Sequence, residues 1–159
     1  MTVRCRSRGL RAGLIGGCLA LAALVGCGGG AGRASPATAA GALTAVVGPL
    51  PEGLEVLFFE PQGEAAAAWI VRHPDRWRPH EAADHRHATL PVDTFMDLVA
   101  ATARGTVEPG QPAEQACRYT EWGPEAAADG TRRLVRIYQL VTDRGEVTVL
   151  ETLPDPANG

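Results

Sequence analysis

Short apolar runs, separated by prolines and glycines, recur between residues 54 and 152 of this 159-residue chain. Five of these runs are rich in Val, Ile, Leu, Phe, Trp or Tyr, which favours strands; they cover 54–60, 65–72, 116–122, 133–141 and 146–152. A weaker run at 85–90 predicts one more strand. Most of the intervening turns are short, so the strands that they join are expected to be antiparallel neighbours.

One segment has the periodicity of a helix. In residues 91–104 the apolar side chains recur at helical spacing; they are Val92, Phe95, Met96, Val99 and Ala103. Pro91 suits the first helical position and Arg104-Gly105 suits the end. We therefore expect an α+β fold in which a small antiparallel sheet of five or six strands packs against one main helix. This single domain would cover 46–153 and be followed by a disordered tail at 154–159.

The first 26 residues differ from the rest in charge and hydropathy. Four arginines, at 4, 6, 8 and 11, precede the uncharged apolar segment 12–26, and no acid occurs before Cys27. At about 1.5 Å per residue this segment would span only about 22 Å as a helix, which is short for a hydrocarbon core of roughly 30 Å. A basic start followed by a short apolar run is typical of a secretory signal.

The apolar segment ends in Leu24-Val25-Gly26-Cys27. In these residues the chain resembles a bacterial lipoprotein precursor, whose lipobox ends in a cysteine after a small residue. The resemblance implies that a diacylglyceryl group is attached to the sulfur of Cys27 and that the signal peptide 1–26 is then removed. It also implies anchoring to a bacterial membrane. This would be the periplasmic side of the outer membrane if the organism has one, and otherwise the outer face of the cell membrane.

The segment after Cys27 is rich in Gly, Ala, Ser and Pro, and its only charge up to residue 45 is Arg33. Such a composition is typical of a flexible tether, so 27–45 is expected to be the lipidated cysteine and its tether.

The mature chain is acidic. Four of the 15 basic residues and none of the 18 acids precede Cys27, so the net charge after cleavage is about −7, which repels nucleic acid and anionic headgroups. We expect no role with nucleic acid. The expected partners are the membrane, through the lipid on Cys27, and a protein of the envelope.

The residue types of the folded part exclude several chemistries. Residues 46–153 contain no serine and no lysine, so a Ser-His-Asp hydrolase and a Schiff-base lysine enzyme lack their nucleophile there. No glycine-rich phosphate loop occurs in the sequence. Cys117 is the single cysteine after Cys27, which excludes an internal disulfide. Its position in a predicted strand favours a buried core residue over a thiolate nucleophile paired with a histidine.

The strongest candidate for chemistry is a cluster of histidines. All four histidines of the chain lie within fifteen residues, at 73, 80, 85 and 87, with Asp75, Glu81 and Asp84 among them. Neutral imidazoles suit Zn²⁺, Cu²⁺ or Ni²⁺, and the candidate ligands of a Zn²⁺ or Cu²⁺ ion are His80, Asp84, His85 and His87. The spacing matches no specific zinc signature, so a polar surface loop without a cofactor is the favoured interpretation.

The three tryptophans form a second group of interest. Trp69 and Trp122 lie in predicted strands and are expected in the core, whereas Trp77, between Arg76 and Arg78, is expected to be partly exposed. The alternatives are an aromatic wall on which a ligand stacks and an arginine cluster that binds an anion.

Three classes of function are compatible with these patterns. The favoured class is a non-catalytic interaction or structural module, held at the envelope by its lipid. The second is a metal-binding lipoprotein that uses the loop from His73 to His87, and the third is a metal-assisted enzyme.

Overall fold

Six antiparallel strands form a single sheet. The computed structural model describes residues 35–63, 65–79, 82, 84–126, 131–155 and 157. Its strands are β1 (Glu55–Pro61), β2 (Ala67–His73), β3 (Arg86–Pro91), β4 (Ala116–Ala126), β5 (Arg132–Thr142) and β6 (Gly145–Pro154). Their order across the sheet is β1-β2-β6-β5-β4-β3. All six predicted strands are confirmed, and so are the antiparallel pairs expected from the turns.

The alternation of side chains along the strands gives the sheet two buried faces. Trp69 and Val71 of β2 belong to one hydrophobic cluster, whereas Ile70 between them belongs to another. On β6, Leu150 lies in the first cluster and Val149 in the second. Because successive side chains of a strand point to opposite faces, each face of the sheet needs its own cover.

The predicted helix covers one face. It is α2 (Val92–Thr102), and it follows β3 directly. Phe95 is 0 % exposed and Val99 1 % exposed, and both belong to the cluster that contains Ile70. Met96 packs at the margin of the same cluster. The predicted apolar stripe is therefore confirmed as the buried face of α2.

A second helix, α1 (Pro36–Val47), covers the other face. At its start the Ser35 hydroxyl accepts a hydrogen bond from the Thr38 amide at 3.2 Å, and Pro36 occupies the first turn. The buried residues of α1 recur every four positions, at Ala39, Leu43 and Val47. The sequence pattern predicts one main helix, but the described residues form two, one on each face of the sheet.

The predicted tether over 27–45 is wrong for residues 36–45, which form most of α1. Its many alanines have high helix propensity, and the sheet supplies the contact that an isolated segment lacks. The Trp69 indole Nε1 donates a hydrogen bond to the Ala39 carbonyl at 3.0 Å, thirty residues away in the chain. The domain therefore includes α1 and does not begin at residue 46. Residues 27–34 lie outside the described residues, as does the predicted signal peptide 1–26.

The disordered tail predicted at 154–159 is wrong for its first two residues. Strand β6 extends through Pro154. The side chain of Asp155 is 4 % exposed, and its carboxylate lies 3.0 Å from the Arg132 guanidinium Nε. This ion pair fixes the end of the chain beside β5; residues 156, 158 and 159 lie outside the described residues. Among the described residues, no helix has both the length and the apolar character that a membrane span requires.

Candidate functional site

The four histidines do not share one environment. His73 belongs to β2 and is buried. Its Nδ1 contacts the Asp75 carbonyl oxygen, and its Nε2 lies 3.2 Å from the Glu52 carbonyl oxygen. Both ring nitrogens of His73 are therefore occupied by backbone groups of the adjoining loops. His80 lies outside the described residues.

His85 and His87 lie together at the start of β3. The imidazole of His85 stacks on the Trp122 indole of β4, with ring centroids 5.1 Å apart and an angle of 13° between the planes. The ring of His87 is 6.4 Å from that of His85. The two nitrogens of His87 each lie 3.3 Å from an oxygen, one from the Thr120 hydroxyl and the other from the Ala82 carbonyl.

This arrangement brings part of the predicted metal set together. Asp84 Oδ1 lies 3.9 Å from His85 Nε2. Within the described part of the chain, however, no three His, Cys, Asp or Glu side chains converge as metal ligands. Because His80 lies outside that part, the set of His80, Asp84, His85 and His87 stays a prediction.

A polar cleft of about 370 Å³ opens beside the stacked His85 and Trp122 rings. Its walls come from the start of β3 and from β4, and they are Asp84, His85, Arg86, Glu121, Trp122, Gly123, Pro124 and Glu125. Gly123 has φ of 99°, and a Cβ at this position would approach the Arg133 carbonyl oxygen to 2.5 Å. Only glycine fits there without a shift of the backbone, so the shape of the cleft depends on this residue.

His85 is the most unusual group at the cleft. Its side chain is only 7 % exposed, and its Nδ1 has no hydrogen-bond partner among the described residues. A buried polar atom without a partner is uncommon and costs free energy. Three carboxylates, those of Asp84, Glu121 and Glu125, line the same cleft against one arginine. Two of these carboxylates, those of Asp84 and Glu125, are exposed to solvent.

One wall of the cleft is fixed by the carboxylate of Glu121. Its Oε2 accepts hydrogen bonds from the Tyr119 hydroxyl at 2.6 Å and from Arg136 Nε at 2.9 Å. The Tyr119 hydrogen bond, followed by the Arg136 interaction, lowers the pKa of Glu121, while burial raises that of Tyr119. Glu121 is therefore ionised and Tyr119 neutral at physiological pH.

Glu121 is part of a row of alternating charges that crosses four strands. The register pairs Arg86 of β3 with Glu121 of β4, Glu121 with Arg136 of β5, and Arg136 with Glu151 of β6. Opposite charges directly across a strand pair are stabilising. At the end of the row, burial raises the pKa of Glu151, and the nearby Arg136 opposes this shift.

The expectation that Trp77 is partly exposed is wrong. Trp77 is only 8 % exposed and joins the cluster beneath α1. Its backbone amide donates to Glu146 Oε1 at 2.9 Å, and the neighbouring Arg78 donates to Glu146 Oε2 at 2.8 Å. Gln139 Nε2 donates to the Trp77 carbonyl at 2.7 Å. This buried polar network attaches the loop after β2 to the sheet.

The arginines on either side of Trp77 are both paired with acids. Arg76 lies 2.6 Å from Glu114, and Arg78 lies 2.8 Å from Glu146. Their charge is compensated within the protein, which argues against the alternative of an anion-binding arginine cluster.

Trp69 and Trp122 are buried, as expected, at 2 % and 6 % exposure. Cys117 is 0 % exposed, and burial raises the pKa of its thiol. The core positions predicted for these three residues are confirmed, and the geometry gives no support to a reactive thiolate at Cys117.

Sequence reasoning missed the charged row and the network around Glu146. Polar residues at alternate positions of predicted strands, such as Glu121, Arg136 and Glu151, are a signal that two or more strands share a polar stripe. The signal identifies no partners, because a register shift of one residue would move each side chain to the other face.

Comparison with known proteins gave no match: no family model, no curated protein and no solved structure is similar to this chain.

Proposed function

We propose that this chain is a lipid-anchored protein of a bacterial envelope and that its folded domain is a non-catalytic interaction module. The observation that carries the proposal is Leu24-Val25-Gly26-Cys27 at the end of a short apolar segment that follows four arginines. A cysteine is required because the lipid is joined to the protein through a thioether. Two or three acyl chains on one residue hold a protein stably, whereas one chain holds it only marginally.

The start of the domain supports this proposal. The first described residue is Ser35, the N-cap of α1, which lies eight residues after Cys27 in the sequence. A link of this length spans at most about 29 Å. The domain would therefore work close to the membrane surface, where a partner in the same envelope layer is reached by lateral diffusion.

The cleft beside Trp122 is the surface that we assign to the protein partner. It combines three carboxylates with the shielded His85 imidazole, and the mature chain as a whole is acidic. These properties favour a partner that presents a basic group. Asp84 and Glu125 are the exposed carboxylates of the cleft, and the side chain of Asp84 is 83 % exposed.

The lipid anchor is tested by replacing Cys27 with alanine in the full precursor. Wild-type protein is expected to incorporate an alkyne fatty acid and to partition into detergent, whereas Cys27→Ala should do neither. Cys18→Ala removes a thiol from the apolar segment itself and should behave as wild type. Labelling of Cys27→Ala at the wild-type level would refute the anchor.

The partner surface is tested by chemical cross-linking in intact envelopes followed by mass spectrometry. Asp84→Asn is expected to reduce the yield of a cross-linked partner several-fold, because it removes one of the two exposed carboxylates of the cleft. Asp97→Asn makes the same chemical change on the exposed side of α2 and should leave the yield unchanged. Equal losses in both variants would refute the assignment of the partner to the cleft.

Metal binding is the second candidate function. The observation in its favour is that Asp84 and two imidazoles lie at one end of β3. The domain would take up Zn²⁺ or Cu²⁺ at pH 7.5 and release it near pH 5, because imidazole must be neutral to coordinate. The test is calorimetric titration of the metal ion into the wild-type protein and, separately, into the His85→Ala/His87→Ala variant. A wild-type Kd weaker than about 100 μM, which corresponds to a binding energy of only about 5 kcal/mol, would refute metal binding.

A further inference from the structure

Two of the four charged side chains at the cleft beside Trp122 compensate each other. Arg86 Nη1 lies 3.5 Å from Glu121 Oε1. The other carboxylate oxygen of Glu121 already accepts hydrogen bonds from Tyr119 and Arg136. Because the acceptor sites of a carboxylate are few, Glu121 has little capacity left for a group from outside the chain. Arg86 and Glu121 therefore form a closed, paired part of the cleft.

The other two charged side chains, Asp84 and Glu125, are exposed acids. Among the described residues, no arginine forms an ion pair with either carboxylate. Arg133 lies opposite Glu125 in the strand register, but the two side chains form no ion pair. The polar contact of the Asp84 side chain is its 3.9 Å approach to His85. Two uncompensated negative charges at one cleft favour a cation from outside the chain.

The buried imidazole of His85 adds a hydrogen-bond acceptor to these charges. Its Nε2 is the nitrogen that lies 3.9 Å from the Asp84 carboxylate, and the negative charge favours the tautomer with the proton on Nε2. Nδ1 then keeps its lone pair, and no described residue donates to it. Since His85 belongs to the wall of the cleft, a donor from a bound group would supply this missing hydrogen bond and remove the cost of leaving it unmade.

The groups that the cleft leaves unpaired are thus all acceptors, and two of them are charged. A guanidinium group matches this set, because it is planar, always positively charged, and has five N–H donors and no acceptor. An ammonium group has the charge but only three donors around a compact, strongly hydrated centre. The cleft, of about 370 Å³, corresponds to about twelve water volumes of roughly 30 Å³ each, so a guanidinium and its methylene stem fit inside it.

We propose that the cleft beside Trp122 binds the guanidinium of an arginine side chain of the protein partner, through the carboxylates of Asp84 and Glu125 and through His85 Nδ1. This assignment rests on the proposed function of the cleft as a partner surface and narrows the contact to one side chain of the partner. The two carboxylates hold the charge through charge-assisted hydrogen bonds. The imidazole selects a cation that has donors left over after both carboxylates are satisfied.

The test is an NMR titration of the lipidated protein in detergent micelles at low salt, followed at the Trp122 indole N–H and the His85 imidazole. The probes are N-acetyl-arginine methylamide and the equally capped lysine and citrulline; citrulline keeps the shape of arginine but lacks its charge. We expect a saturable shift with capped arginine, a Kd at least about tenfold weaker with capped lysine, and no saturable shift with capped citrulline.

Either of two results would overturn the guanidinium site: no saturable shift with capped arginine, or binding of capped lysine or citrulline as tight as that of capped arginine. Neither result would decide whether the cleft is a partner surface, because the cross-linking yield of Asp84→Asn measures that separately. The source of the guanidinium is tested with n-propylguanidine. If this small cation bound at least about tenfold more tightly than capped arginine, the cleft would exclude the backbone of a partner, and the assignment to a protein side chain would be overturned.

Matched variants separate the cleft from the general acidity of the chain. Asp84→Asn/Glu125→Gln should weaken the binding of capped arginine at least about tenfold. Asp97→Asn/Glu108→Gln makes the same change in charge at two exposed acids elsewhere and should leave the Kd unchanged. His85→Phe keeps an aromatic ring in the stack without the acceptor and should weaken binding several-fold. Equal losses in the two double variants, with spectra that show both to be folded, would overturn the site.

Discussion

Replacement of Phe95 by alanine provides the most direct test of the fold. Phe95 is the largest apolar residue of α2, and its side chain is fully buried against the sheet face that contains Ile70 and Leu140. A buried aromatic side chain removes 150–250 Å² from water, roughly 4–6 kcal/mol at about 25 cal/mol per Å². Alanine retains part of this, but the truncation leaves a cavity, so we expect a loss of about 3–5 kcal/mol.

Such a loss is a large fraction of the roughly 5–15 kcal/mol by which a domain of this size is stable. At about 3–6 °C per kcal/mol, a loss of about 3–5 kcal/mol should lower the melting temperature by roughly 9–30 °C. The assay is thermal and urea unfolding of the chain from residue 28 onward, followed by circular dichroism. The urea midpoint should fall while the slope of the transition stays constant, because the surface exposed on unfolding barely changes.

Two further variants decide how a change at Phe95 is interpreted. Thr94→Ala alters the exposed neighbour on the same turn and should cost less than about 0.5 kcal/mol. Phe95→Leu keeps most of the side-chain volume and should lower the free energy of unfolding clearly less than Phe95→Ala does. A Phe95→Ala protein that melts within a few degrees of wild type would refute the packing of α2 described above.

Three other predictions follow from the polar groups. Glu146→Ala should lower the free energy of unfolding by about 3–5 kcal/mol, because Arg78 loses its buried partner. Glu114→Ala, in the exposed pair with Arg76, should lower it by less than about 1 kcal/mol. Urea unfolding measures both changes. The pKa of Glu121 is lowered from 4.5, so its contribution to stability is complete above pH 4.5 and is lost as the pH falls through the lower folded value. Glu121→Gln should therefore flatten the acid limb of a stability–pH curve, and an unchanged limb would contradict the Tyr119 and Arg136 hydrogen bonds. The pKa of Glu151 is raised by burial, so ionisation of this group destabilises the fold as the pH rises. Glu151→Gln should therefore be more stable than wild type at pH 7 and equal to it near pH 3, as thermal melts at the two pH values would show.

The sheet and α2 could be predicted because their signals are local. Alternating apolar residues identify β4, β5 and β6, and the stripe through Phe95 and Val99 identifies the helix and its buried face. Each of these elements has a sequence period that differs clearly from that of its neighbours, and glycines or prolines separate them.

Helix α1 could not be predicted in the same way. Its composition is that of a linker, and its stripe of Ala39, Leu43 and Val47 contains only one large side chain. What makes it a helix is the face of the sheet around Trp69, and that face exists only after distant strands have paired. The burial of Trp77 has a similar origin, because the acceptor of its backbone amide, Glu146, is 69 residues away.

The candidate site was predicted only in part. The clustering of the histidines was visible, and Asp84, His85 and His87 do lie at one end of β3. The stacking of His85 on Trp122 depends on the pairing of β3 with β4, which no local pattern specifies. The cleft that we propose as a partner surface could therefore be located only once the register of β3 and β4 was known.

The position of α1 also determines how the protein would respond to mechanical force. If Cys27 is fixed in a membrane and a partner holds the far edge of the sheet, tension enters the domain through α1, whose hold on the sheet comes from a few side chains and the Trp69 hydrogen bond. The twelve residues of α1 measure about 18 Å as a helix and about 40 Å when extended. Under load, α1 would therefore detach before the strands separate, and its extension would lengthen the link by roughly 20 Å. Single-molecule stretching should record this detachment as a low-force step. The step should disappear when the chain is pulled from residue 48 instead. The proposed link to the membrane would thus lengthen under load, while the sheet and the cleft proposed for a partner would stay intact.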